Sequence, residues 1–439
     1  MGKKKLKGPL ALAMVAAASV LLAACSAGST SAGSKTLTVQ VQGGSEKEFA
    51  AFIKVFKEQN PGITVKTTSV SQQAKTGTNL EVLTSSSAPD VATIPTNTQV
   101  YTEMVKAKQL LPLNDVWKLA NLGEHYSPVL VSALKTNNTP YVVSYDSTFY
   151  NIVYYNKKLF KSLGIAEPTN HRFSSLSALE STVSKLKAAG KQGLAIGPAD
   201  NYQSTWLLDA LLPTSANTSE MQNYLSSWQA STPVTVKYTA PAFTNALTQI
   251  KAMGAAGLFQ DGFLGQKVSQ AESLFLQGSA GMILDGNYST TVFKNGGISF
   301  DYGWALLPPV HSGSKSQITQ YNGNTLAIPL KAKNPDLAKK FLESVMSVEG
   351  QSTVPGVGSL PAANDVPASA LSVFPTPVLE QLADAKSNGG QPGWTAIVPG
   401  GLGQQLVDPL VQEMFNGKET PGQIGAAVQK QLDSIKAGH

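Results

Sequence analysis

Polar and apolar residues alternate along Thr36-Leu37-Thr38-Val39-Gln40-Val41, the two-residue period of a strand with one buried face. From Glu46 to Asn60 the period lengthens. Phe49, Phe52, Ile53 and Phe56 fall on one helical face, and Asn60-Pro61-Gly62 ends the run. Ile63-Thr64-Val65-Lys66 predicts a second short strand. A helical stretch near 77–84, a turn at Ala88-Pro89 and a strand at Val91-Ala92-Thr93-Ile94 follow. Strands alternating with helices predict an α/β fold with a largely parallel sheet.

Further along, Tyr150 to Tyr155 is one β-rich apolar run. Phe173 to Gly190 predicts an amphipathic helix with Leu176, Leu179, Val183 and Leu186 on one face. Ser177-x-x-Glu180 has capping-box spacing there, and Ser174 and Ser175 compete for the cap. Lys191 to Ile196, Met282-Ile283-Leu284 and Gly303-Trp304-Ala305-Leu306-Leu307 predict strands. Asn334-Pro335-Asp336 opens a helix burying Leu337, Phe341 and Val345. A last helix has Thr420 as N-cap, Pro421 at its first position, Gln423 completing a box, and Ile424, Val428, Leu432 and Ile435 inward. No repeat recurs at a fixed period.

The chain has 439 residues, enough for two domains or one large two-lobed unit. Only 14% are charged, against about 25% in an ordinary soluble protein, so the surface must be rich in amides and hydroxyls. One cysteine excludes a disulfide framework, a cysteine-based zinc cluster and a CxxC redox pair.

Residues 1–24 read as a secretory signal. Lys3, Lys4, Lys5 and Lys7 form a basic start, and Leu10 to Ala24 is apolar but shorter than the ~20 residues of a membrane span. Its end, Leu22-Ala23-Ala24-Cys25, resembles the lipobox of bacterial lipoproteins. That resemblance implies cleavage before Cys25, lipidation of its sulfur and an anchor on the extracytoplasmic face of the membrane. Residues 25–35 are small and polar, a flexible tether whose reach over ten residues is roughly 17–19 Å. Removing the signal takes away four of the 34 basic residues and leaves 30 against 28 acidic, so the formal +6 falls to +2. The apparent basicity therefore gives no support to nucleic-acid binding.

Several strings, in order along nearly all of 36–439, resemble the family 1 extracellular solute-binding proteins of ABC importers, the maltose- and oligosaccharide-binding type. They are Ser87-Ala88-Pro89-Asp90-Val91 with Gln109-Leu110-Leu111-Pro112-Leu113, and Tyr141-Val142-Val143 with Val153-Tyr154-Tyr155-Asn156-Lys157-Lys158-Leu159-Phe160. Phe275-Leu276-Gln277-Gly278-Ser279-Ala280-Gly281-Met282 and Gly323-Asn324-Thr325-Leu326-Ala327-Ile328-Pro329 with Asn334-Pro335-Asp336-Leu337-Ala338 complete the set. Near Phe149 the chain is longer than the family pattern and the match loosens.

The resemblance implies a type II, two-lobed α/β fold of the periplasmic-binding-protein kind, with lobes joined by crossing strands and closing on a ligand. Lobe 1 is expected at 36–145 plus 305–352, and lobe 2 at 146–304 plus 353–439. It further implies a carbohydrate ligand, an ABC permease as partner, a monomer, no cofactor and no enzymatic activity. Cleft residues should follow the carboxyl ends of strands.

A sugar site needs aromatic faces for C–H surfaces and polar groups for hydroxyls. Tyr288 is assigned to stacking and Asp285 to hydroxyl binding, because the family carries a stacking aromatic at that turn. Trp394 and Trp206 are further aromatic candidates. Asn97, in the loop after the strand Val91–Ile94, is the polar candidate from lobe 1, and Ser45 lies at the first helix start. Tyr145 and Asp146 sit at the first lobe crossing; Tyr321, Asn322 and Asn324 sit beside a later one. Asp90 is read as orienting its loop and is left out of the site.

The alternatives are a binding protein for a polyamine or sugar phosphate, or a secreted glycoside hydrolase. No GxSxG, HExxH or P-loop occurs, and His125, His171, His311 and His439 have no paired spacing. Two facing carboxylates remain compatible with the sequence. An anionic ligand would favour an arginine clamp, and the chain has one arginine, Arg172. Metal binding finds no His or Cys cluster, although an all-oxygen site stays open.

Overall fold

The computed structural model describes residues 36–71, 79–321 and 323–438. The signal, Cys25 and the tether lie outside these described residues, as does Asn322. In chain order the first strands are β1 Thr36–Gln42, β2 Thr64–Val70, β3 Val91–Thr93, β4 Lys135–Thr136, β5 Thr139–Pro140 and β6 Val143–Ser144. Then come β7 Asp146–Tyr150, β8 Ile152–Asn156, β9 Gln192–Ala195, β10 Ala280–Asp285 and β11 Tyr302–Leu306. The last are β12 Ile318–Tyr321, β13 Thr325–Ala327, β14 Leu360–Pro361 and β15 Gly390–Pro392.

A five-stranded sheet has the order β2-β1-β3-β13-β6. Its β1, β2 and β3 are parallel, while β13 runs antiparallel to β3 and β6. The helix Glu46–Gln59 covers it with the expected face: Phe49, Phe52 and Phe56 are buried, and Ile53 is half-buried. Each fully buried aromatic or aliphatic side chain contributes about 1.5–3 kcal/mol. Phe56 meets Phe341 edge to face at 5.2 Å, joining this helix to Pro335–Val345. Asp90 has the orienting role expected of it. Its Oδ2 accepts from Thr38 N and Oγ1, each at 2.8 Å, and its Oδ1 from Asn334 N at 2.7 Å.

A second sheet has the order β11-β8-β10-β9, and a third β14-β7-β12-β15. Behind the second, the helices Gln203–Ser215, Pro241–Ala255, Gln404–Phe415 and Pro421–Ala437 share a core that includes Leu211, Leu247, Val411 and Val428. The final helix carries the predicted Thr420/Gln423 capping box. In Leu176–Ala188, by contrast, Ser175 is the cap and accepts from Ala178 N, so Ser177 and Glu180 are not the box.

The apolar run 150–155 is not one strand. Asn151, at φ +63°, turns the chain between β7 and β8, which belong to different sheets. Asparagine tolerates this left-handed conformation better than a β-branched residue would. Its Nδ2 donates to Thr319 Oγ1 at 3.2 Å, which holds the bend against β12.

Chain segments shared between sheets are finer than two blocks per lobe. Val354 and Ala362 pack in the core of the five-stranded sheet, while Ile424 and Val428 pack behind the second. The chain passes between the five-stranded and third sheets from β6 to β7 and again from β12 to β13. These passages lie side by side: Asp146 Oδ2 accepts from Asn324 Nδ2 at 2.8 Å. A Cβ on Gly323 would come within 2.0 Å of the Asp146 carbonyl oxygen, so glycine is required there.

Candidate functional site

The principal cavity, about 430 Å³, is walled by segments far apart in sequence. Pro95, Asn97 and Thr98 come from the loop after β3, at the carboxyl end of a strand as expected. Thr148 and Tyr150 come from β7, and Tyr321 from the end of β12. Tyr202 and Trp206 come from the start of Gln203–Ser215. Thr395, Ala396, Gly400, Gln404 and Gln405 close the far side.

Three aromatic rings form a continuous wall. Tyr202 and Trp206, four residues apart at a helix start, have centroids 5.0 Å apart. Trp206 in turn lies 4.9 Å from Tyr150. Tyr202 and Trp206 are half-exposed, so their faces remain open to a ligand, whereas Tyr150 is almost fully buried.

Behind this wall sits Asp209, fully buried on the same helix as Trp206. Its Oδ2 accepts from the Tyr150 hydroxyl at 2.9 Å and also from Thr395 Oγ1, and its Oδ1 from Thr395 N at 2.8 Å. Burial pushes its carboxyl up to about 6, against the pull of these donors. A Cβ on Gly393 would lie 1.6 Å from the Tyr150 hydroxyl oxygen, so only glycine admits this arrangement.

None of the described residues lining the cavity is charged. Arg172 cannot serve as an anion clamp from where it stands, because both terminal nitrogens are engaged by Asp384 at 2.9 and 2.8 Å. Among the described residues no group of three or more His, Cys, Asp or Glu could hold a metal. No helix among them is long and apolar enough to cross a membrane.

Of the sequence-predicted ligand residues, Asn97, Trp206 and Tyr321 line the cavity. Trp394 does not: it is fully buried, edge to face with Phe243 and Tyr238, and its Nε1 donates to the Tyr238 hydroxyl at 3.0 Å. The next residue, Thr395, is the one that reaches the cavity. Tyr145 is fully buried between Phe49 and Phe52, at 5.3 and 5.7 Å, and its hydroxyl reaches Ser45 Oγ at 3.5 Å. Tyr145 therefore packs in the core of the five-stranded sheet, and neither it nor Ser45 lines the cavity. Asp146 is buried and occupied in tying the two passages together.

Asp285 and Tyr288 stand one layer behind the wall. Asp285 is fully buried, accepts from Gly286 N at 2.9 Å, and is raised to about 6 by burial. The half-buried Tyr288 does not line the cavity, and burial, with the Asp285 carboxyl beside it, holds its hydroxyl well above the usual range. Asn322 and Cys25 lie outside the described residues.

Sequence reading missed Tyr150, Tyr202, Thr148, Thr395 and the glutamines 404 and 405. One signal was present: Tyr202 and Trp206 are spaced four apart just after the turn that ends β9. Nothing local marks Tyr150, whose role depends on the sheet switch at Asn151.

Comparison with known proteins matches this architecture. The model of the bacterial extracellular solute-binding protein family matches residues 43–352. A curated relative from Pyrococcus horikoshii, described as an uncharacterized ABC transporter extracellular-binding protein, is 26% identical over 388 residues, covering 84% of this chain and 83% of its own. The multiple sugar-binding protein of Streptococcus mutans is 26% identical over 363 residues, covering 80% and 81%. Among solved structures, a chitin oligosaccharide binding protein superposes with a TM-score of 0.73 at 21% identity, covering 92% of this chain and 99% of that one. This likeness shows the two-lobed type II solute-binding fold. With its match extending across most of its length, the chain belongs to the bacterial extracellular solute-binding protein family.

Proposed function

We propose that this protein captures a neutral carbohydrate, an oligosaccharide, between its lobes and delivers it to an ABC permease. One observation carries the reading: the cavity joins an aromatic wall of Tyr202, Trp206 and Tyr150 to amides and hydroxyls, with no charged side chain on the described lining. Sugar C–H faces stack on such rings, and sugar hydroxyls pair with Asn97, Thr98, Thr148, Thr395 and Gln404. A polyamine would call for carboxylates, and a sugar phosphate for Arg or Lys, at that surface. The curated relative with a sugar-binding name supports the same class.

The protein does no chemistry in this reading. It binds in an open state and shifts to a closed one through contacts made only there. In this reading the lobes hinge where Asp146 and Asn324 join the two passages. Lipidation at Cys25 and the tether of residues 25–35 hold a monomer at the extracytoplasmic membrane face, within reach of the permease. A thermal-shift screen of mono- and oligosaccharides, polyamines and sugar phosphates tests the ligand class. A ligand at a hundredfold excess over Kd stabilises by about 2.7 kcal/mol. Shifts confined to polyamines or phosphates would sink the carbohydrate reading.

A further inference from the structure

Three donors converge on the buried carboxyl of Asp209, and their hydrogens can be counted. Thr395 N gives its one hydrogen to Oδ1 at 2.8 Å. The Tyr150 hydroxyl, at 2.9 Å, and Thr395 Oγ1 both give theirs to Oδ2. A hydroxyl owns one hydrogen and two lone pairs. While both hydrogens point at Asp209, these two hydroxyls have only lone pairs to offer elsewhere. Tyr150 and Thr395 both line the principal cavity.

Among the described residues, no charged side chain hydrogen-bonds the Asp209 carboxyl. From β7 comes Tyr150, whose hydroxyl is held well above its ordinary value by burial and by the Asp209 charge, so it keeps its hydrogen. Tyr321, at the end of β12, is pushed up to about 12 by burial. On Gln404–Phe415, Asp408 accepts from Thr205 N at 3.2 Å, one turn before Asp209, and from Gln412 Nε2 at 2.7 Å, while Glu413 faces Lys418 at 2.8 Å. On Pro241–Ala255 the charged residue is the exposed Lys251. On Thr218–Ser226, Glu220 closes a capping box with Asn217, and the Tyr224 hydroxyl donates to Lys237 O.

We propose that Asp209 sets the hydrogen-bonding sense of this end of the cavity: as a carboxylate it makes Thr395 and Tyr150 acceptors, and so selects a ligand that donates a hydroxyl hydrogen there. This rests on the carbohydrate reading of the cavity. A sugar O–H then heads a chain in which each hydroxyl gives its hydrogen inward, and the charge at the far end strengthens every link. A proton on Oδ2 reverses the chain. Asp209 must then donate to one of the two hydroxyls, whose own hydrogen turns outward to meet the sugar's. Burial pushes this carboxyl up to about 6, so the reversal falls near that pH. Sugar binding therefore weakens in acid, and near pH 6 it releases a proton.

The test is calorimetric titration of the full chain with malto-, cello-, xylo- and chitotriose between pH 5 and 8. For the sugar that binds, affinity should be level above pH 7 and fall about 3- to 10-fold by pH 5, the scale of one hydrogen bond. At pH 6, heats in buffers of different ionisation enthalpy should report proton release. Asp209→Asn cannot ionise and should bind at the low affinity at every pH. Thr395→Val and Tyr150→Phe should each shrink the acid step, and Thr395→Ser should keep it. Trp206→Ala should lower affinity at every pH and leave the step in place, which separates a stacking loss from a change of hydrogen-bonding sense. A wild-type affinity independent of pH overturns this role of Asp209, as does a step undiminished in both Thr395→Val and Tyr150→Phe. Binding of none of the four sugars at any pH overturns the carbohydrate reading itself, and this role with it.

Discussion

The Tyr150 hydroxyl donates to Asp209 Oδ2 at 2.9 Å, joining a strand to a helix 59 residues on and fixing the inner end of the aromatic wall. Thr395 binds the same carboxyl through its backbone N and its Oγ1, so three distant segments take their positions from one buried acid. The aromatic wall of the cavity is thus set from behind.

Asp209→Ala should destabilise the fold by about 3 kcal/mol, because it leaves the Tyr150 hydroxyl and the Thr395 donors buried without a partner. Urea denaturation measures this directly. A loss under about 0.5 kcal/mol, the level of an ordinary surface substitution, would remove Asp209 from this role.

The pH dependence has a definite sign. Burial raises the folded-state carboxyl of Asp209 to about 6 from 3.8, so the folded state holds its proton more tightly than the unfolded chain does. Stability from this group is complete below about pH 4 and declines as pH rises towards 6. Asp209→Asn cannot titrate. The stability advantage of wild type over that variant should therefore be larger at pH 4 than at pH 7. An advantage that grows with pH would mean a carboxyl held below its ordinary value.

Trp206→Ala should cost about 1–2 kcal/mol of sugar affinity, roughly 5- to 30-fold, with little change in the unliganded melting temperature. The ring is half-exposed, so its truncation opens no sealed core cavity. Trp394→Ala should do the reverse and cost about 3–5 kcal/mol of stability, since that ring is enclosed by Phe243 and Tyr238. Parallel melting curves and titrations of the two variants distinguish the roles; a stable Trp394→Ala that fails to bind would restore it to the site.

These two tryptophans show where sequence reading stops. Periodicity carried the first helix well: the spacing of Phe49, Phe52 and Phe56 follows from 3.6 residues per turn, and the fold buries all three. The loop after β3 was also legible, because strand ends in α/β sheets mark ligand sites, and Asn97 stands there. Which aromatic faces solvent is a tertiary fact. Trp394 in a Gly/Pro loop and Trp206 beside a leucine pair carry local signals opposite to their environments. Tyr150 was hidden for another reason: an asparagine in the left-handed region splits one apolar run between two sheets, and alternation alone does not reveal the split.

Gly393→Ala should destabilise by about 1–3 kcal/mol, the range of overpacking, and weaken sugar binding, because its methyl would fall 1.6 Å from the Tyr150 oxygen. Adding Tyr150→Phe removes the clashing oxygen and should recover part of the loss. A double variant no more stable than Gly393→Ala alone would place the defect elsewhere.

An uncharged aromatic and amide cavity should select a neutral sugar over a cation or an anion. Calorimetric titration of the purified protein with oligosaccharides, alongside spermidine and glucose 6-phosphate, measures this selectivity. Saturable binding of at least one neutral oligosaccharide, lost or reduced in Trp206→Ala, with no heat of binding from the cation or the anion, is the predicted result. Saturable binding of spermidine or the sugar phosphate, with none from any neutral sugar, would contradict it.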